Sequence, residues 1–151
     1  MSFVTFNEKR GELMSEYEKV EKLLKEYAEL NIDIEGLEYQ IKVEGVKGIS
    51  YSDMPGAPLP SNKSVVETEL EYINKLKNEK LILEIRKEGI ENVLKTLNDF
   101  EQNLIKYVYI DKLKYSEIES KLNMSKTGIL YNKNKLINNK LIQYFSKYNL
   151  I

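Results

Sequence analysis

The chain has 151 residues with 23 basic and 24 acidic side chains, and it contains neither histidine nor cysteine. Those absences remove the commonest general base, the thiol nucleophile, the usual zinc ligands and any disulfide. With no P-loop, glycine-rich nucleotide fingerprint or EF-hand spacing either, the expectation is a protein that is not an enzyme, has no catalytic or metal-binding residues and uses no cofactor.

The first residues, Met1 to Met14, lack the apolar core of a secretion signal, and no run approaches the eighteen apolar residues of a membrane span. A cytoplasmic protein with no membrane association is therefore expected. Between Asn7 and Lys42 the apolar residues Leu13, Tyr17, Val20, Leu24, Tyr27, Ile34, Leu37 and Ile41 recur at three-residue and four-residue steps, which predicts a long amphipathic helix. Glu8, Glu12, Glu16, Glu26 and Glu35 interleave with lysines as on a solvated helix face, not as a catalytic pair.

Glu44 to Lys63 contains Gly45, Gly48, Gly56 and all three prolines, Pro55, Pro58 and Pro60. That density of breakers is expected to end the first helix and delay the second. A connection of this length is either a mobile linker or a contact segment working through Tyr51, Met54 and Leu59.

A second apolar series runs through Val66, Leu70, Ile73, Leu76, Leu83, Ile90, Leu94 and Leu97. Within it Leu76, Leu83, Ile90 and Leu97 are spaced by sevens, the spacing of a coiled-coil seam interrupted at Lys80 and Lys87. Residues 1–98 thus read as two long helices that fold back on each other or exchange with a partner. Narrow apolar stripes favour helix association, so this region is expected to make the protein a homo-oligomer.

Residues 99–151 read differently. Ile118 and Leu122 lie on one face of a short helix that Ser116 can cap, with Glu117 and Glu119 near its positive end. Asn123 suits the left-handed turn that ends it, Met124 points back to the core, and Ser125 can cap a following helix whose inner side holds Ile129 and Leu136. Cap, turn and second cap in that order predict a helix-turn-helix, and its second helix would enter the major groove of double-stranded DNA. The outward residues are Lys126, Thr127, Gly128, Leu130, Tyr131 and Asn134, with Lys133 and Lys135 alongside. Asn134 suits an adenine edge, Thr127 and Leu130 a thymine methyl, Lys126 guanine acceptors, and Lys133 and Lys135 phosphates.

Charge placement agrees with DNA as partner. From Gln102 to Ile151 nine lysines face three acids, a net charge of +6, whereas the preceding residues carry −7. The expected fold class is all-α: a long helical hairpin or coiled coil over 1–98, followed by a C-terminal helix-turn-helix domain over 99–151.

The stretch from Phe100 to Leu141, through Leu104, Ile105, Tyr109, Leu113, Tyr115, Glu117, Ile118, Leu122, Ser125, Ile129 and Leu136, resembles the fourth conserved region of bacterial sigma factors. It is most similar to the short phage and plasmid-borne regulators of Firmicutes in the RinA and ArpU group. The tract Ser50, Tyr51, Ser52, Asp53, Met54, Pro55 and Gly56 is similar to one those regulators carry between two long helices. The chain departs from the group at Glu119, where a small alanine is usual, at Asn132, where an apolar residue is usual, and at Asn123, which replaces the turn glycine. The resemblance implies sequence-specific transcriptional control of phage or mobile-element genes, with RNA polymerase as a further partner. Two other readings stay open: a DNA-binding assembly factor like a phage terminase small subunit, which would contact a packaging ATPase, and a helical interaction protein that does not bind DNA.

Overall fold

A computed structural model describes residues 14–52 and 63–151, the side chains of 48–52 and 63–66 excepted. All regular structure among the described residues is helical, as the periodicities require. The elements are α1 (Glu16–Ser52), α2 (Lys63–Lys95), α3 (Asp99–Ile105), α4 (Tyr115–Leu122), α5 (Lys126–Leu136) and α6 (Ile142–Lys147). Wide turns with i+5 bonding, Lys106–Ile110 and Ile137–Leu141, extend α3 and link α5 to α6.

The helix α1 ends later than its apolar spacing predicts. Ser15 caps it, accepting the Glu18 N–H on its hydroxyl at 3.1 Å, so the helix begins at Glu16; the part of the expected span before Met14 lies outside the described residues. It then continues through Gly45 and Gly48 to Ser52, past the expected stop after Lys42. An isolated helical glycine costs only about 1 kcal/mol against alanine, too little to end a helix whose neighbours favour it. All three prolines fall in 53–62, outside the described residues, as do Met54, Leu59 and the side chain of Tyr51, the proposed contact residues of the connection. Leu13 and the side chain of Val66 lie outside them too.

The first of two compact units contains residues 14–28 and Glu88–Ile151. Its core takes Val20, Leu23 and Leu24 from α1 and Ile90, Val93 and Leu97 from the end of α2 and its following turn. The C-terminal helices supply Leu104, Ile105, Tyr109, Ile118, Ile129, Leu136, Ile137, Leu141 and Phe145. The sequence boundary between 98 and 99 coincides with the break between α2 and α3, while the compact units divide at 28/29 and 87/88. The reason is apolar area: the short C-terminal helices have too little surface to cover one another, and the ends of both long helices complete their core.

The α2 to α3 junction is tied by two devices absent from the sequence reading. Asn98 and Glu101 form a capping box, Asn98 Oδ1 accepting the Glu101 N–H at 2.8 Å and Glu101 Oε1 accepting the Asn98 N–H at 3.1 Å. Gln102 Nε2 donates to the Leu94 and Leu97 carbonyls, both at 3.0 Å, satisfying acceptors that the end of α2 leaves open.

The second unit, Glu29–Lys87, holds α1 from Glu29 to its end and most of α2. There Lys80 Nζ bridges Glu38 of α1 at 3.1 Å and Glu84 of its own helix at 3.5 Å. Lys80 thus ties the two helices together where the sequence pattern reads it as an interruption. The heptad series is turned inward, with Leu76, Ile90 and Leu97 buried and Leu83 half-buried. The chain itself buries Leu76, Ile90 and Leu97 and partly covers Leu83, whereas Leu70 of the same apolar series is 54% exposed.

Candidate nucleic-acid interface

The α4 to α5 turn follows the expected logic with one correction. Asn123 ends α4 in the left-handed conformation at φ 52° and ψ 51°, and its N–H bonds to the Glu119 carbonyl. Ser125 caps α5, its hydroxyl accepting the Gly128 N–H at 3.2 Å. Ser116, however, is not the cap of α4. Lys114 holds that position without a side-chain bond, its carbonyl taking the Glu117 and Ile118 N–H groups, so Ser116 lies inside the first turn.

Gly128 packs closely under Met124, so a larger residue there would require Met124 to move. A Cβ there would lie 2.9 Å from Met124 Cγ, inside van der Waals contact, because Met124 lies across the start of α5. Asn132 is half-buried and partnered: its Nδ2 donates to the Gly128 carbonyl at 2.8 Å and reaches Met124 Sδ at 3.6 Å. Glu119 is half-buried.

The eight residues expected on the reading face do not share one environment. Thr127, Tyr131, Asn134 and Lys135 are exposed together, with Tyr131 65% accessible. Lys126 is exposed, its ammonium 5.1 Å from the centre of the Tyr115 ring. Leu130 and Gly128 are half-buried. Lys133 points inward and is no outward phosphate ligand: its side chain is 12% exposed, and Nζ lies 3.6 Å from Glu21 Oε2 of α1 and 6.0 Å from the Tyr109 ring centre.

A polar cluster therefore lies between α1 and α5. The Tyr109 hydroxyl donates to Glu21 Oε2 at 2.6 Å, and the Tyr17 hydroxyl donates to Asn134 Oδ1. Burial, then the Glu21 carboxylate, pushes the Tyr109 hydroxyl far above the usual tyrosine range, and burial likewise raises Tyr17. For Lys133, burial works against the charged form, but Tyr115, Tyr17 and Glu21 outweigh it and the ammonium is held above its ordinary range. Among the described residues no buried side-chain nitrogen or oxygen lacks a hydrogen-bond partner.

Sequence reasoning missed Asn138, Tyr17 and Glu21. Asn138 is exposed just beyond α5 and extends the series 127, 131, 134 by four, so helical periodicity alone could have found it. Tyr17 and Glu21 left no such signal, because they reach α5 only through the tertiary fold. No described helix is long and apolar enough to cross a membrane. Comparison of the chain with protein-family models, curated proteins and solved structures finds no match.

Proposed function

We propose that this protein is a sequence-specific, double-stranded DNA-binding transcriptional regulator that lays α5 in the major groove. The observation that carries this reading is the exposed series Thr127, Tyr131, Asn134 and Asn138, which rises from a turn capped at both sides and sits on a segment of net charge +6. Polar and aromatic side chains at that spacing reach base edges, and exposed lysines such as Lys135 supply phosphate attraction. The likeness to sigma factor region four and to RinA and ArpU regulators adds RNA polymerase as a partner and a phage or mobile element as the setting, with the cytoplasm as the place of action.

A second DNA-binding reading, the terminase-like assembly factor, draws on the exposed apolar residues of the long helices, including Ile32, Tyr39 and Ile85, which suit an oligomer. Fluorescence anisotropy with pooled random duplexes, followed by selection, tests the common core of both readings. A bound, enriched sequence is the expected result, and no affinity for any duplex at low salt overturns both. Capture of RNA polymerase favours the regulator, whereas ring-shaped oligomers that bind a packaging ATPase favour the assembly factor.

A further inference from the structure

The parts of the long helices in the Glu29–Lys87 unit bury little of their apolar surface. In the Glu29–Lys87 unit the described buried hydrophobic residues are Leu30, Ile34 and Leu76, yet eight of the ten exposed large hydrophobics belong to it. On α1 these exposed residues are ordered. Ile32, Tyr39 and Val46 are 70%, 69% and 64% accessible, and Gly36 and the half-buried Val43 fall between them. The steps alternate four and three, which is heptad spacing, and Tyr39 stands about 140° around the helix from the inward Ile34. This is a second seam, separate from the one the chain covers itself.

We propose that this outer stripe of α1 docks a second copy of the chain, with the two α1 helices antiparallel. The stripe is complementary to itself when reversed. In that register the second copy's Tyr39 lies on Gly36, where an added Cβ would meet nothing within 4 Å, and the second copy's Val43 lies against Ile32. Each glycine thus receives a ring, one contact on either side of the two-fold axis.

Charge selects the same register. Glu35 and Lys42 flank the stripe on one side, and Asp33 and Lys47 on the other. Antiparallel pairing in this register sets Glu35 against the second copy's Lys42. The parallel arrangement instead sets Lys42 against Lys47, a like-charge contact. Lys47 meets Glu44 of its own helix at 3.3 Å, and its side chain remains 66% exposed. The pairing does not depend on DNA contact.

The absence of native cysteine gives a direct test with the full chain. Ile32→Cys and Val43→Cys are prepared separately, then mixed and oxidised. Antiparallel docking predicts a disulfide dimer only in the mixture, because identical positions in the two copies lie about 16 Å apart along the axis, beyond disulfide reach. Self-crosslinking of Ile32→Cys overturns the register, and no crosslink in any sample overturns the docking. Sedimentation equilibrium is expected to give a dimer for the unaltered chain. Tyr39→Ser should raise the dissociation constant about tenfold or more at unchanged helicity. Glu35→Lys should weaken the dimer, and adding Lys42→Glu should restore it. A strictly monomeric unaltered chain at tens of micromolar, or a Tyr39→Ser variant that dimerises equally well, overturns the proposal.

Discussion

Tyr17, in the first turns of α1, donates its hydroxyl hydrogen to Asn134 Oδ1 on α5, joining residues 117 positions apart in the chain. The bond engages the acceptor end of the amide, so in the proposed DNA complex Nδ2 is the end left for a base. An NH2 donor suits guanine O6 and N7 or thymine O4, whereas an adenine edge needs both ends of the amide. Tyr17→Phe should therefore shift the preferred base at one position toward adenine while the rest of the selected site is retained. An unchanged selected sequence would separate Tyr17 from base choice.

Glu21 serves two groups at once, accepting from the Tyr109 hydroxyl and facing the Lys133 ammonium. Glu21→Ala leaves a buried hydroxyl and a largely covered cation without their partner, and we expect a loss of about 2 kcal/mol in urea unfolding. Glu21→Gln, which keeps an acceptor and removes the charge, should cost less. Equal losses for the two variants would mean that the charge contributes nothing.

Alkaline pH should unfold the protein earlier than its lysine content alone requires. Tyr17, Tyr27 and Tyr109 are all held above the usual tyrosine range, first by burial, with Glu91 acting further on Tyr27 and Glu21 on Tyr109. A group whose folded-state pKa is raised adds stability that is complete below its unfolded value, about 10 for tyrosine, and is lost as pH rises beyond it. Unfolding free energy should therefore be flat near neutrality and fall above about pH 10. Absorbance titration of tyrosine should show a delayed fraction that ionises with unfolding.

The turn between α4 and α5 should tolerate glycine better than alanine at its left-handed position. Asn123→Gly is expected to be close to neutral, whereas Asn123→Ala should cost about 1 kcal/mol because a Cβ disfavours that conformation. Ser125→Ala should cost about 1 kcal/mol through the lost cap. Thermal melts of the three variants check the order.

The C-terminal helices should not fold alone. A fragment spanning 99–151 lacks Val20, Leu23, Leu24, Ile90 and Val93, all buried in the same unit, so it should show no cooperative melt. A sharp transition in that fragment would mean that the long helices are dispensable to its core. In the full chain, Leu24→Ala should cost about 2–5 kcal/mol.

Lysines on α5 should differ in their effect on DNA affinity. Lys135→Ala should lower the salt slope for every duplex, whereas Lys133→Met should leave that slope unchanged because its ammonium is turned to Glu21. Asn138→Ala should cost about 1–3 kcal/mol on the preferred sequence alone. Anisotropy titrations across salt concentrations separate these outcomes.

Local rules in the sequence determined much of this molecule: the all-helical class, the left-handed turn at Asn123, the cap at Ser125 and the inward set Ile118, Ile129 and Leu136. Each depends on neighbours within a few positions, where dihedral preference and helical period act directly. The tertiary structure decided what those rules cannot reach. Helix α1 runs through Gly45 and Gly48 because the cost of a helical glycine is small beside the helix around it. The ends of the long helices join the C-terminal core because short helices lack the area to cover one another. Lys133 turns away from solvent because Glu21 and Tyr109, distant in sequence, place a carboxylate and a ring beside it. Helical spacing gives the direction of a side chain on its own helix, but the partner it meets depends on which other helix the fold brings alongside.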